Sequence, residues 1–588
     1  LVGTFGMVSS THWLASGAAM AMLERGGNAF DAAVAAGFVL QVAEPHLNGP
    51  GGDMPAILWS ANEGRARVLC AQGVAPAAAT IARYRDLGFD VMPGTGLLAT
   101  VVPGAWDGWL TLLRDHGTLS LATVMAPALG YAEGGVPLVP RVVQTIAEMA
   151  PLFRDEWHGS AALWLPGGAP PAPLVPHPNP ELAALWRRLL AGAATKPGRE
   201  AAIDEARRLW SQGFVAETID RFCRDFASLD SSGRRHHGLL TGQDMAEWAA
   251  TWEEPARLDY HGLTLLKCGA WSQGPTFLQT LAILGGFDLD ATDPEGDDFV
   301  HPLVEAMKLA FADRDGFLGD PAFVDVPLAR LLSAEHAAAR RASITELAAV
   351  DTPPGVIDGR AGWRDEGAAA RAHRAPEFAA GGGTGEPTVR RDGATAGDTC
   401  HIAVVDRAGN MIACTPSGGW LQSSPAIPEL GFCLNSRAQM FWLDPTAPGA
   451  LGPRRRPRTT LTPSLALRGG EAHLAFGSPG GDQQEQWQLL MLLRHLHHGY
   501  TLQEAIEAPM LTSEHWTNSF WPRQARPLRL ALESRFPQAT MAALARRGHE
   551  VEAAPPWSLG RLCAVARDGR LLRAAANPRG QQGYAAGR

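Results

Sequence analysis

Between Leu14 and Arg25, apolar and small residues recur at helical spacing, and Gly26-Gly27 supplies the left-handed position at which a helix stops. A second helix is expected over Ala29–Ala43. It ends before Glu44-Pro45, because the residue ahead of a proline avoids helical backbone. The run EPHLNGPGGD (44–53) has too many glycines for a regular element. It reads as a loop that brings backbone close to a neighbour, either a packed strand or the wall of a pocket. The first 150 residues thus read as helices joined by tight glycine turns. Residues 150–250, with prolines clustered over Pro166–Pro180, read as a surface excursion. The run DDFVHPLVEAMKLAFADRD (297–315) has the period of a long amphipathic helix, with Lys308 on its surface.

After Thr352 the pattern changes. Up to Gly397 the chain is rich in Gly, Ala, Pro and Arg with little periodicity, which predicts a long exposed linker. Short β-rich runs follow. Ile402–Val405 and Met411–Thr415 form a hairpin pattern across Arg407–Asn410, and Pro463–Leu467 and His473–Phe476 form a second across Arg468–Gly470. A helix is expected over Asp482–His498, with Leu489, Leu490, Leu493 and Leu496 facing inward. The strand Leu528–Leu532, the helix Gln538–Arg547 and a hairpin of Leu562–Ala566 with Leu571–Ala575 complete the chain. Hairpins interleaved with helices predict an α+β fold of antiparallel sheets covered by helical layers.

Composition narrows the function. With 588 residues, 46% hydrophobic and 19% charged, the chain has ample material for a core. A net charge of −9 argues against a nucleic-acid partner, and no run approaches the ~20 apolar residues of a membrane span. Only three lysines are present against 48 arginines, and none stands in a phosphate-loop context. The seven cysteines are scattered without a close pair, giving neither a zinc ribbon nor a disulfide framework. The start shows no basic segment followed by an apolar core, so a cytoplasmic location is expected.

The candidate chemistry begins where the linker ends, at Gly397-Asp398-Thr399-Cys400-His401, directly before the hairpin. A flexible segment running into a Thr at a strand edge is what a self-cleaving precursor needs. The hydroxyl attacks the preceding carbonyl, an N-to-O acyl shift gives an ester, and water releases a new N-terminus. Thr399 would then carry both nucleophile and base, since an α-amino group titrates near ~8. An ordinary strand-edge Thr is the alternative. Cys400 is a rival nucleophile, but its side chain should face the opposite side of the strand.

The stretches GGNAFDAAVAA (26–36), EPHLNGPGGD (44–53), VAPAAAT (74–80), VPGAWDGW (102–109), EAMKLAFADRD (305–315), DTCHIAVVDRAGN (398–410), RPRTTLTPSLAL (456–467) and GSPGGDQQ (477–484) occur in this order. Together they resemble the γ-glutamyltransferase family of N-terminal-nucleophile hydrolases over nearly the whole chain. The resemblance implies a four-layer αββα sandwich, cleavage between Asp398 and Thr399, and a heterodimer of residues 1–398 and 399–588 that can dimerise further. It places the nucleophile at Thr399 and a second hydroxyl at Ser417, with Thr415 sharing that work. It places the oxyanion hole at Gly480-Gly481, where glycine lets amides approach a developing charge. Thr459 and Thr460 match a hydroxyl pair that contacts the substrate carboxylate, or serve only as β-formers before a strand. No metal or organic cofactor is implied, and the partner is a small amide substrate.

Departures from the family pattern matter as much. Glutamyl-specific members carry an arginine at the position of Gln72, an Asn at Gly419 and an acidic residue at Met440. An α-amino acid head group needs both a cation and an anion when it leaves water, and this chain lacks both at those positions. TPSGGW (415–420) and LNSRAQMF (434–441) look more like the acylase and amidohydrolase branch. Arg437 becomes the candidate for holding a substrate anion, unless it is tied to a carboxylate such as Asp444. Trp420 is either pocket wall or core, with Phe441 and Trp442 beside it in the argument. Three other features carry less. Arg494–His498 contains no His pair at i, i+4, so it reads as cations at a helix end. Arg454-Arg455-Arg456 reads as a solvated loop. GGGTG (381–385) lacks a preceding strand and reads as linker. The expected function is an autoprocessed amidohydrolase acting on a non-glutamyl acyl group. A true γ-glutamyl hydrolase or transferase and an uncleaved, silent binding homologue are the alternatives.

Overall fold

The computed structural model describes residues 1–367, 399–579 and 582–588. Asp398, the GGGTG run and most of the expected linker lie outside the described residues. The first part of that linker, up to residue 367, is ordered. It forms a small hairpin of Val356–Ile357 with Arg360–Ala361, and Ile357 packs with Phe317 and Leu318.

Two seven-stranded antiparallel sheets carry the molecule. The first runs in the order Tyr584–Gly587, Gly6–Ser10, Ile402–Asp406, Met411–Cys414, Ala56–Ser60, Arg65–Cys70 and Thr251–Glu253. The second runs Val2–Gly3, Leu571–Ala576, Cys563–Asp568, Glu471–Gly477, Ser464–Arg468, Leu263–Lys267 and Ala256–Tyr260. Alternation along each strand divides the side chains between two faces. Ala403, Val405, Met411 and Ala413 meet Leu266, Leu465, Ala475 and Val565 in an apolar cluster between the sheets. Ile402, Val404 and Ile412 face the other way, into a core shared with helices Trp13–Glu24 and Ala29–Ala43. Leu265, Ala466, Leu474 and Phe476 pack likewise with helices Gly274–Leu284, Asp297–Phe317 and Gln483–His497. The mixed helix-and-sheet class expected from the sequence is the class observed.

Several expectations are corrected. The first 150 residues are not only helices and turns, since they supply Gly6–Ser10, Ala56–Ser60 and Arg65–Cys70 to the first sheet. These strands are buried on both faces or short, so they lack the alternation that marks a half-exposed strand. Residues 150–250 are more than a surface excursion, because Trp186 and Trp210 of helices Pro180–Ala193 and Arg199–Ser211 lie fully inside the first core. Helix Asp297–Phe317 is buried nearly all round, and Lys308 is inside, with Nζ 2.7 Å from Glu305 Oε1. Arg529–Glu533 joins neither large sheet. It lies in a three-stranded sheet, parallel to Glu550–Ala554 across helix Gln538–Arg546.

Candidate active site

Thr399 stands just ahead of the central strand Ile402–Asp406, paired across a β-bridge with Ser417. Its Oγ1 is 3.1 Å from Ser417 Oγ, and both side chains are buried. Odd-numbered residues of this segment face the second sheet and even-numbered ones face the helices, so Cys400 points away from Thr399. The Cys400 thiol donates to Glu44 (3.1 Å) and accepts from Asn48 (3.2 Å). Burial pushes that thiol well above its ordinary range and raises the Glu44 carboxyl as well. A thiol so placed is a poor nucleophile.

His401 shares the inward face with Thr399. Its Nδ1 is 3.1 Å from Thr415 Oγ1, so the structure engages Thr415 with His401 rather than with Thr399. Burial, reinforced by the nearby Lys267 ammonium, pushes His401 down to about 3. It is therefore a neutral imidazole at neutral pH. Gly477, at the end of strand Glu471–Gly477, packs directly on that ring, and a Cβ at 477 would overlap it.

The chain runs from Gly477 through Gly480-Gly481 into helix Gln483–His497. Gly480 has φ +97°, and a Cβ there would lie 2.7 Å from the Trp487 ring. Only glycine suits both conditions. The first amides of a helix point their N–H groups back along the axis, where the dipole favours negative charge. Asp482, at the helix start, does not cap it. Its carboxylate is taken by Arg314 (2.6 Å) and by Ser519 N and Oγ (2.8 and 2.7 Å), and against the effect of burial these partners and the nearby Arg458 charge lower its pKa. Gln273 Nε2 donates to the Gly481 carbonyl at 3.0 Å, and Arg314 Nη1 donates to Gln273 Oε1 at 3.2 Å. The glycine turn is thus fixed from behind by a residue whose side chain is itself fixed.

Thr459 is clamped to the same segment. Its N–H donates to Trp271 O, its carbonyl accepts from Gln273 N, and its Oγ1 accepts from Leu461 N. The neighbouring Thr460 hydroxyl is buried and makes no hydrogen bond among the described residues.

Arg437 is tied to a carboxylate, the second of its two expected roles, but the partner is Asp53 and not Asp444. Its guanidinium meets Asp53 in a two-pronged pair, Nε to Oδ2 at 3.0 Å and Nη2 to Oδ1 at 3.3 Å, with both residues buried. Asp444, the partner considered from sequence, instead accepts from Trp363 and Thr446. Burial raises the Asp53 carboxyl, opposed by Arg437 and by hydrogen bonding from Gln72. Asp53 is also bonded backbone to backbone with Ser417, at 2.8 and 3.0 Å. The pair therefore braces the loop that carries Ser417, and Trp420 covers it, its ring 5.2 Å from the guanidinium carbon. Gly419, at φ +65°, packs on the 44–53 loop, and a Cβ there would lie 2.8 Å from Gly52 N. The Asn of glutamyl-specific members has no room at this position. Met440 is buried at the end of the turn Arg437–Met440, followed by Phe441 in a separate apolar cluster. Trp442 lies under Arg523, 3.9 Å from its guanidinium carbon. The Arg454–Arg456 run is not simply solvated, because Arg456 pairs with Glu253 and Asp320 (2.8 Å).

Sequence reasoning missed Asp53, His401, Gln273 and Arg314. The Asp closing EPHLNGPGGD and the Arg of ADRD were visible signals, but nothing local says which buried charge meets which. Two groups of His, Asp and Glu residues with metal-ligand types occur among the described residues, and neither contains a residue of this site. No described helix is long and apolar enough to cross a membrane.

Paired buried hydroxyls at a strand end and a glycine turn that opens a helix are elements that acyl transfer calls for. The family comparison agrees: the chain belongs to the gamma-glutamyltranspeptidase family, whose model matches residues 15–587. It is 32% identical to the Acylase ACY 1 proenzyme of Pseudomonas sp. (strain SE83), over 97% of this chain and 92% of that protein. It is 30% identical to the Glutathione hydrolase-like YwrD proenzyme of Bacillus subtilis (strain 168), over 99% and 98%. A solved structure, "Structure of LmbA2991HD", is 52% identical and superposes with a TM-score of 0.94 over 100% of this chain and 99% of that one. Like its relatives, this protein is an amide-bond hydrolase of that family.

Proposed function

We propose that this enzyme matures by cleaving its own 398–399 bond and then hydrolyses an amide through an acyl-enzyme on Thr399, with a non-glutamyl acyl group. The observation that carries the reading is the 3.1 Å approach of the Thr399 and Ser417 hydroxyls at the head of a central strand. In maturation the Thr399 hydroxyl adds to the carbonyl of residue 398, the C–N bond breaks, and the resulting ester is hydrolysed by water. In turnover the freed amine takes the hydroxyl proton as Oγ1 attacks the substrate carbonyl. Gly480-Gly481 amides hold the oxyanion, the protonated amine passes its proton to the leaving amine, and water then releases the acid. Both large sheets join strands from residues 2–267 to strands from residues 402–587, which supports an αββα sandwich made jointly by residues 1–398 and 399–588 in a stable heterodimer. The proenzyme names of two relatives also support processing.

The acyl preference rests on charge. Arg437 is matched by Asp53, Gln72 is neutral, and Gly419 and Met440 offer no anion. An α-ammonium and α-carboxylate would be poorly compensated there. A γ-glutamyl substrate is the second reading, favoured by the 30% identity to the protein named glutathione hydrolase-like. N-terminal sequencing of the small fragment should begin Thr-Cys-His, and Thr399→Ala should leave a single full-length chain. Identical single bands from both proteins would sink the processing scheme. Slow release from γ-glutamyl-p-nitroanilide beside faster release from acyl amides lacking the ammonium is expected. Fast γ-glutamyl release accelerated by glycylglycine would reverse the preference.

A further inference from the structure

The two groups of metal-ligand residues differ in what already occupies them. In the buried one, of His301, Glu305 and His549, the Lys308 ammonium sits 2.7 Å from Glu305 Oε1. His301 Nδ1 and His549 Nε2 share a hydrogen bond of 2.9 Å, and His301 Nε2 is bonded to the Thr345 carbonyl. A cation is already in place, and a second beside it would be repelled.

The other group is open to solvent. His261 is exposed in the turn between strands Ala256–Tyr260 and Leu263–Lys267, Asp290 lies in the helical turn Leu289–Ala291, and His497 is the last residue of helix Gln483–His497. One ligand atom from each falls within 4.8 Å of the other two. The His261 and His497 rings are 4.1 Å apart, and His497 Nδ1 is 2.7 Å from Asp290 Oδ1.

We propose that His261, Asp290 and His497 bind a divalent transition-metal ion of the zinc type. Two imidazoles and a carboxylate are a donor set zinc accepts, with bonds of about 2.0–2.2 Å and a fourth position left for water. Atoms bound to one such ion stand roughly 3.3 Å apart, so the His497–Asp290 hydrogen bond opens by about half an ångström and the exposed His261 turn closes. Tyr260 Oη lies 2.8 Å from His497 Nε2 and Asp290 Oδ1 lies 2.7 Å from Nδ1, so the ring has an oxygen partner at each nitrogen. On metal binding the ring proton that Nδ1 gives to Asp290 moves to Nε2, where the phenol oxygen accepts it, and the Nδ1 lone pair takes the ion. The carbonyl end of the helix adds favourable potential for a cation. The site ties three segments together on the second-sheet side, at the opposite end of the helix that starts at the Gly480-Gly481 turn.

The test is calorimetric titration of the EDTA-treated, full-length protein with Zn²⁺. One ion per chain is expected, with His261→Ala and Asp290→Asn each weakening uptake about 100-fold or more. Co²⁺ in place of Zn²⁺ should give visible bands of a low-coordinate site that vanish in His261→Ala. Both substitutions are at exposed positions, so the test survives even if His497→Ala fails to fold. No uptake below about 1 mM, or uptake that His261→Ala leaves unchanged, would overturn the proposal.

Discussion

A buried charge acts through the partner it is given, and Arg437 shows this most clearly. Its pairing with Asp53 makes it a brace for the Ser417 loop. Removing the carboxylate takes away the two-pronged partner of a buried guanidinium and the brace on the Ser417 loop. Asp53→Ala should therefore lower the urea midpoint sharply, and should slow processing by loosening Ser417. Ser417→Ala is milder for the fold, since it removes one hydroxyl. It should cut kcat by about 10²-fold with little change in KM, measured on the processed protein with its best acyl amide. Acid sensitivity follows from histidines. His12, His401, His515 and His549 are each pushed down to about 3, with burial the largest cause. Their folded values lie below the unfolded 6.5, so the unfolded chain takes up protons first as pH falls. Stability should be full above pH ~6.5 and decline progressively toward pH ~3. A denaturation midpoint that is flat over that window would contradict the assignment of neutral, buried rings.

At the scale of elements, the glycine turn between strand Glu471–Gly477 and helix Gln483–His497 is the part that the proposed mechanism asks to hold the oxyanion. Gly480→Ala must accommodate φ +97° and a 2.7 Å approach to Trp487, where the backbone term alone is about 1–2 kcal/mol. Loss of kcat should exceed the loss of thermal stability, because the amides are displaced from the oxyanion position. Gln273→Ala tests the same turn from behind. Deleting its hydrogen bond to the Gly481 carbonyl should lower kcat by about tenfold while leaving KM and the circular-dichroism spectrum unchanged. A change confined to KM would instead place Gln273 on the substrate side. The turn at 418–419 tells a complementary story. Gly419→Asn restores a residue of the glutamyl-specific pattern but drives a side chain into the 44–53 loop. It should lower Tm without conferring γ-glutamyl turnover.

Over the whole molecule, both large sheets hydrogen-bond strands from residues 2–267 to strands after residue 399: Gly6–Ser10 and Ala56–Ser60 flank Ile402–Cys414 in the first, and Val2–Gly3 and Leu263–Lys267 flank the four later strands in the second. The proposed cut at the 398–399 bond would leave the hydrogen-bonded ladders of both sheets intact. The two fragments should co-elute in native size exclusion and unfold in one calorimetric transition, separating only in denaturant. Two resolved transitions would mean that each part keeps a core of its own.

Local sequence was sufficient where the driving force is local. The capped helix Ala29–Ala43, the hairpins at Ile402–Cys414 and Cys563–Ala576 and the helix over Gln483–His497 follow from periodicity, turn residues and caps within a few positions. The ordered motifs pointed to Thr399 and Ser417, whose hydroxyls the structure brings within 3.1 Å, and to the glycine turn at 480–481. What sequence could not rank were choices between partners far apart in the chain. Asp53 or Asp444 for Arg437, Thr399 or His401 for the Thr415 hydroxyl, and surface or interior for Lys308 were decided by which segments the two sheets bring together. In the interior, water no longer screens or replaces a partner, so burial made each of those choices consequential and the tertiary structure alone made them.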